Sequence, residues 1–181
     1  MEVVLFEGTP QEVGEWLASS IIDVGFVPLS ATGTDSTLIT TDELVVVVAP
    51  GHRLGAQRVV AASELHEEGF IMSKNDCAFQ TLEMAGLEPS RSRPPIRYHA
   101  SDSTTILAMV REGLGITLLP RMMLPPKLEG IVALSLDPPQ QVPIGLAIRS
   151  REMASPAAKL FVQTALDWTQ AQAMYMRSSL L

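Results

Sequence analysis

The chain has 181 residues, 46% of them hydrophobic and 18% charged, the profile of a globular protein with a substantial core, built as one large domain or two small lobes. A formal net charge of −7 sets the surface against phosphate backbones and anionic lipid headgroups, which argues against nonspecific nucleic-acid binding. The single cysteine, Cys77, excludes an intrachain disulfide framework and accords with a reducing compartment.

The opening Met1-Glu2-Val3-Val4-Leu5-Phe6-Glu7-Gly8 lacks the basic, apolar and small-residue succession of a signal peptide, so a cytoplasmic location is expected. Within it, Val3-Val4-Leu5-Phe6 is β-branched and aromatic and predicts a buried strand. Thr9-Pro10-Gln11-Glu12 has the form of a capping box with proline at the first helical position, and Val13, Trp16 and Leu17 give the helix its apolar stripe. Val24-Gly25-Phe26-Val27 reads as a second strand, completing a parallel, right-handed strand-helix-strand unit. A polar loop through Thr32, Gly33, Thr34 and Asp35 follows. The run Leu44 to Ala49 is apolar throughout, as a strand buried on both faces should be, and Pro50-Gly51 stops it far short of a membrane span.

Ser63-Glu64-Leu65 predicts a short helix, Gly69-Phe70-Ile71-Met72 a strand, and Asp76 to Ala85 a helix closed by Gly86. Ile96-Arg97-Tyr98-His99 is the next strand. Ser101-Asp102-Ser103 caps a helix with Ile106, Leu107 and Val110 inward and Gly113 at its end. Ile116 to Leu119 predicts a buried strand ending at Pro120, with two more at Ile131–Leu136 and Ile144–Ile148. Ser155-Pro156 opens a long helix carrying Leu160, Phe161, Ala165 and Trp168. Strands alternating with helices place the chain in the α/β class.

Catalytic and metal signatures do not emerge. His52, His66 and His99 are scattered without metal-ligand spacing, and neither a Walker loop, a nucleophile elbow nor a nucleophile-base pair is evident. Gly113-Leu114-Gly115 closes a helix and enters a strand, the reverse of the order a dinucleotide loop needs. Glu67-Glu68 reads as a solvated loop pair rather than an acid/base couple. The expectation is a binding protein, not an enzyme, without cofactor or metal. Met122-Met123-Leu124-Pro125-Pro126 is open to two readings, an interaction surface or an apolar strand-to-loop junction.

Several blocks, in order, resemble the effector-binding domain of LysR-type transcriptional regulators. They are Glu7-Gly8-Thr9, Ile22-Asp23-Val24-Gly25-Phe26, and Leu44 to Ala49 followed by Pro50-Gly51-His52-Arg53-Leu54. Met84-Ala85-Gly86-Leu87-Glu88-Pro89 comes next, and the most specific block is Val110-Arg111-Glu112-Gly113-Leu114-Gly115-Ile116-Thr117-Leu118-Leu119-Pro120. The resemblance covers nearly the whole chain. Two departures from the family are expected: the N-terminal helix-turn-helix domain is not expected in this chain, nor are the strand and helix that the family places before the segment equivalent to Val3-Val4-Leu5-Phe6.

What the resemblance implies is a fold of two Rossmann-like lobes, like the type-2 periplasmic solute-binding proteins, with a ligand cleft between them. The expected lobes are residues 1–49 with 151–181, and residues 50–150. The implied ligand is a small-molecule effector, and the exposed amides and positive dipole at helix starts point to a small organic anion. A homo-oligomer is implied, with DNA reached only through the missing domain and no membrane partner. Thr9 matches a ligand-contacting position of the family, although its role as a helix cap would suffice to explain it. Ser101, Asp102 and Ser103 carry the same two readings. Met72, Ser73, Lys74 and Asn75 follow a strand at the carboxyl edge where α/β proteins bind ligands, or form an ordinary solvated loop. Cys77 stands where the redox branch of the family has its peroxide-sensing cysteine, near Lys74 and a helix start that favour a thiolate. Asp76 opposes that thiolate, and no second cysteine is present, so an inert helix residue is the alternative. Two functional alternatives therefore stand beside the regulator reading: a transporter-associated solute-binding protein and a Cys77-based redox sensor.

Overall fold

The computed structural model describes residues 2–29, 35–73 and 95–178, with side chains described as far as residue 171. The chain divides into two compact units, Met1–Thr41 with Pro143–Leu181, and Asp42–Val142. These boundaries fall inside two long strands, β2 (Asp35–Val48) and β7 (Val132–Ile148). The strand order of the five-stranded sheet is β1 (Gly25–Pro28), β7, β2 and β6 (Thr117–Pro120), with β3 (Val59–Ala61) also paired to β7.

In the first unit, helix α1 (Pro10–Ala18) starts at Thr9, whose Oγ1 accepts from the Glu12 amide at 3.2 Å. The Glu12 carboxylate accepts from the Thr9 amide at 2.7 Å, closing the capping box expected from the sequence. Val13 and Leu17 turn inward to meet Val27 and Ala147, with Trp16 and Ile22 packed alongside. Strand β1 (Gly25–Pro28) pairs with β7 in antiparallel register, Gly25 opposite Ala147 and Pro28 opposite Ile144. The expected parallel strand-helix-strand unit is therefore overturned. Its first member does not form: Val3 to Phe6 carry no strand and are exposed, Leu5 to 91%. Strand-forming residues become a strand only where a ladder receives their amides and carbonyls. Phe6 instead packs its ring against Trp16, centroid to centroid 6.1 Å. Gly8 permits this arrangement, because a Cβ there would lie 2.5 Å from Trp16 Cη2.

Helix α3 (Pro156–Ser178) is capped by Ser155, whose Oγ accepts from the Ala158 amide at 3.1 Å. Its inward stripe is narrower than the sequence suggests. Ala158 is buried and Phe161 and Ala165 are half-buried, but Leu160 and Trp168 are 61% and 64% exposed.

In the second unit, Leu44 to Val48 of β2 are fully buried, and β2 pairs antiparallel with β6 (Thr117–Pro120), Leu44 opposite Pro120 and Val47 opposite Thr117. Strand β3 (Val59–Ala61) runs parallel to β7 and leads into a 3-10 turn at Ala62–Leu65, where a short helix was expected. Strand β4 (Phe70–Ser73) pairs in parallel with β5 (Ile96–Ala100), and helix α2 (Ser103–Arg111) packs against β4, β5 and β6. Val45, Val47, Ile71, Ala100, Ile106, Leu107, Val110, Leu119 and Ile131 form one core cluster. The two strands expected at Ile131–Leu136 and Ile144–Ile148 are segments of the single strand β7, which continues through Pro138 and Pro139. The helix expected over residues 76–85 lies outside the described residues.

Two of the sequence blocks prove to be devices of the fold. After α2, Gly113 takes φ +71°, the left-handed turn that ends a helix most easily at glycine. Gly115 then passes so close to the Gly69 carbonyl that a Cβ would overlap it. This approach lets the Ile116 amide donate to Gly69 O at 3.0 Å while Ile116 O accepts from the Ile71 amide at 2.8 Å, bridging to β4. In the Pro50-Gly51-His52-Arg53-Leu54 turn, the Leu54 amide donates to His52 Nδ1 at 3.3 Å. That leaves Nε2 to carry the proton offered to Glu68 Oε2 at 3.0 Å. Arg53 meets the other Glu68 oxygen at 2.6 Å and donates to Glu64 O at 2.7 Å. Glu68 is thus a structural anchor and not a free solvated acid.

Candidate functional site

The register of β4 with β5 sets Met72 opposite His99 and Ser73 opposite Ala100, so both strands finish together. The chain leaves β5 at Ala100 and enters α2 within three residues. Ser73, Ser101, Asp102 and Ser103 consequently gather at the carboxyl edge of one parallel strand pair, the edge at which open α/β sheets present loops and helix starts to ligands. Ser101 and Asp102 are exposed there, while Ser73 and Ser103 are half-buried. The Ser73, Ser101 and Ser103 hydroxyls have no hydrogen-bond partner among the described residues.

Asp102 is the N-cap of α2. Its Oδ1 accepts from the Thr105 amide and its Oδ2 from the Thr105 hydroxyl, each at 2.9 Å. The Thr105 amide first, then the Thr105 hydroxyl, and also the Thr104 amide, hold the Asp102 carboxyl below the ordinary carboxylate range. The start of α2 therefore already has its own carboxylate facing the positive end of the helix dipole. Thr105 completes the cap and was not singled out from the sequence, although it stands three residues after Asp102, where a cap seeks its amide. Among the capping-or-contact candidates, capping accounts for both Asp102 oxygens, and the hydroxyls of Ser101 and Ser103 are the groups still available to a ligand.

Met72 requires a correction. It is 1% exposed, the third of three consecutive buried residues in β4, so it supports the edge from within the core and presents no surface to a ligand. A strand with both faces covered buries successive residues alike, and the alternation that would have turned Met72 outward is absent. Thr9 belongs to the other unit, where its hydroxyl accepts from the Glu12 amide. The Thr9 amide and then the Thr9 hydroxyl lower the Glu12 carboxyl, so this helix start also carries its own anion. Lys74, Asn75 and Cys77 lie outside the described residues. Among the described residues no group of three or more His, Cys, Asp or Glu side chains could hold a metal ion, and no helix is long and apolar enough to cross a membrane.

With this geometry, the fold can be compared with known proteins. Its TM-score is 0.76 against the effector-binding domain of QuiR in complex with shikimate, at 21% identity, covering 92% of this chain and 80% of that one. Against the regulatory domain of Synechocystis PCC6803 CcmR in complex with 2-PG the TM-score is 0.75, at 15% identity, covering 89% and 80%. The architecture is thus the periplasmic-binding-protein-like α/β fold of bacterial effector-binding domains.

The sequence narrows this class to one family. Residues 1–170 match the model of the LysR substrate binding domain, and the chain belongs to that family. It is 30% identical over 169 residues to the uncharacterised HTH-type transcriptional regulator YvbU of Bacillus subtilis, covering 92% of this chain and 57% of that relative. The chain thus spans less than two thirds of the relative's length.

Proposed function

We propose that this chain is the effector-sensing domain of a LysR-type transcriptional regulator, acting in the cytoplasm by binding a small organic anion and catalysing no reaction. The observation that carries the reading is the family match over residues 1–170. Relatives that are transcriptional regulators, YvbU among them, support it over a transporter-associated solute-binding protein, and the neighbours solved with shikimate and 2-PG support a small-molecule effector over a Cys77-based redox sensor. The shikimate held by the QuiR domain supports an organic anion as the class of effector.

In this reading the ligand meets the hydroxyls of Ser73, Ser101 and Ser103, and Lys74 and Asn75, which follow Ser73 in the sequence, supply charge and an amide. Effector binding favours one conformation by its differential affinity, and the whole regulator, a homo-oligomer reading DNA through a separate helix-turn-helix domain, responds to that shift. The test is a thermal-shift screen of aliphatic, aromatic and hydroxylated carboxylates, with and without peroxide, followed by calorimetry on any acid that raises the melting temperature. One chemical class should stabilise the chain. The Ser101→Ala/Ser103→Ala pair should weaken that acid at least tenfold while leaving the ligand-free melting temperature within a degree or two. A folded chain that answers to no acid would refute the proposal, and a response to peroxide alone would transfer it to Cys77.

A further inference from the structure

We draw no further inference here: the strongest candidate, the exposed apolar face that Leu160 and Trp168 form on helix α3, is unpartnered among the described residues, and nothing in the structure shows what covers it.

Discussion

Thr117 offers a sharp test of the packing in the second unit. Its side chain lies in β6 opposite Val47, is 0% exposed, and its Oγ1 has no hydrogen-bond partner among the described residues. A buried hydroxyl without a partner costs about 1–3 kcal/mol in lost hydration. Valine has nearly the same shape, replaces that hydroxyl by a methyl group, and suits a strand at least as well. Thr117→Val should therefore stabilise the chain by about 1 kcal/mol or more, which for a domain of this size raises the melting temperature by roughly 2–4 °C per kcal/mol. Urea unfolding should show the midpoint moving upward with the slope unchanged, the signature of a native-state effect. Thr117→Ser is the control: it keeps the orphaned hydroxyl, removes the methyl group, and should lose about 0.5–1.5 kcal/mol by analogy with other single-methyl deletions. If Thr117→Val instead destabilised the chain, the hydroxyl would have a partner in solution and the reasoning would be wrong.

Four further outcomes follow from the same geometry. Gly115→Ala should destabilise by about 1–3 kcal/mol in urea, because its Cβ meets the Gly69 backbone carbonyl, which no rotamer change can move aside. An unchanged midpoint would mean that the bridge to β4 does not need that close approach. Gly14→Ala, by contrast, meets nothing within 4 Å in the interior of α1 and should gain about 0.5–1 kcal/mol, visible as added helicity and a higher midpoint. For acid stability, the Arg121 hydrogen bond first, and then that of Ser135, lower the Glu43 carboxyl from its ordinary 4.5. A depressed folded value contributes stability above the unfolded value that is lost as pH falls below 4.5 toward the folded one. Unfolding titrations of Glu43→Gln should accordingly show a shallower decline over that window than the parent; parallel curves would contradict the assignment. Asp102→Asn keeps a competent N-cap but removes the titrating group, so it should flatten the acid decline that begins below Asp102's ordinary 3.8 while preserving helicity at neutral pH. A loss of helicity at pH 7 would show that the charge, and not the cap, holds α2.

The features legible in the sequence were those specified within a few residues of one another. Thr9 and Glu12, Asp102 and its helix, Ser155 and Ala158, and the positive φ of Gly113 each satisfy backbone groups of their own segment, so residue type and short spacing suffice to announce them. The unbroken apolar run from Leu44 to Val48 likewise declares a strand covered on both faces. Family membership was legible for a related reason, since blocks such as Gly113-Leu114-Gly115 encode a turn whose close approach to Gly69 tolerates no Cβ. Tertiary structure decided what depends on distant partners. Gly25 finds Ala147 across more than a hundred residues and in antiparallel sense, a choice no local pattern records. Val3 to Phe6 have strand composition without a ladder, and two apparent strands join as β7 through an intervening Pro-Pro step. The same holds at the candidate site: only the parallel pairing of β4 with β5 brings Ser73 to the start of α2, and only burial on both faces withdraws Met72 from it. Hydrogen-bond ladders and covered faces are properties of the assembled sheet, which is why the caps could be read in advance but not which strands pair to build the edge they serve.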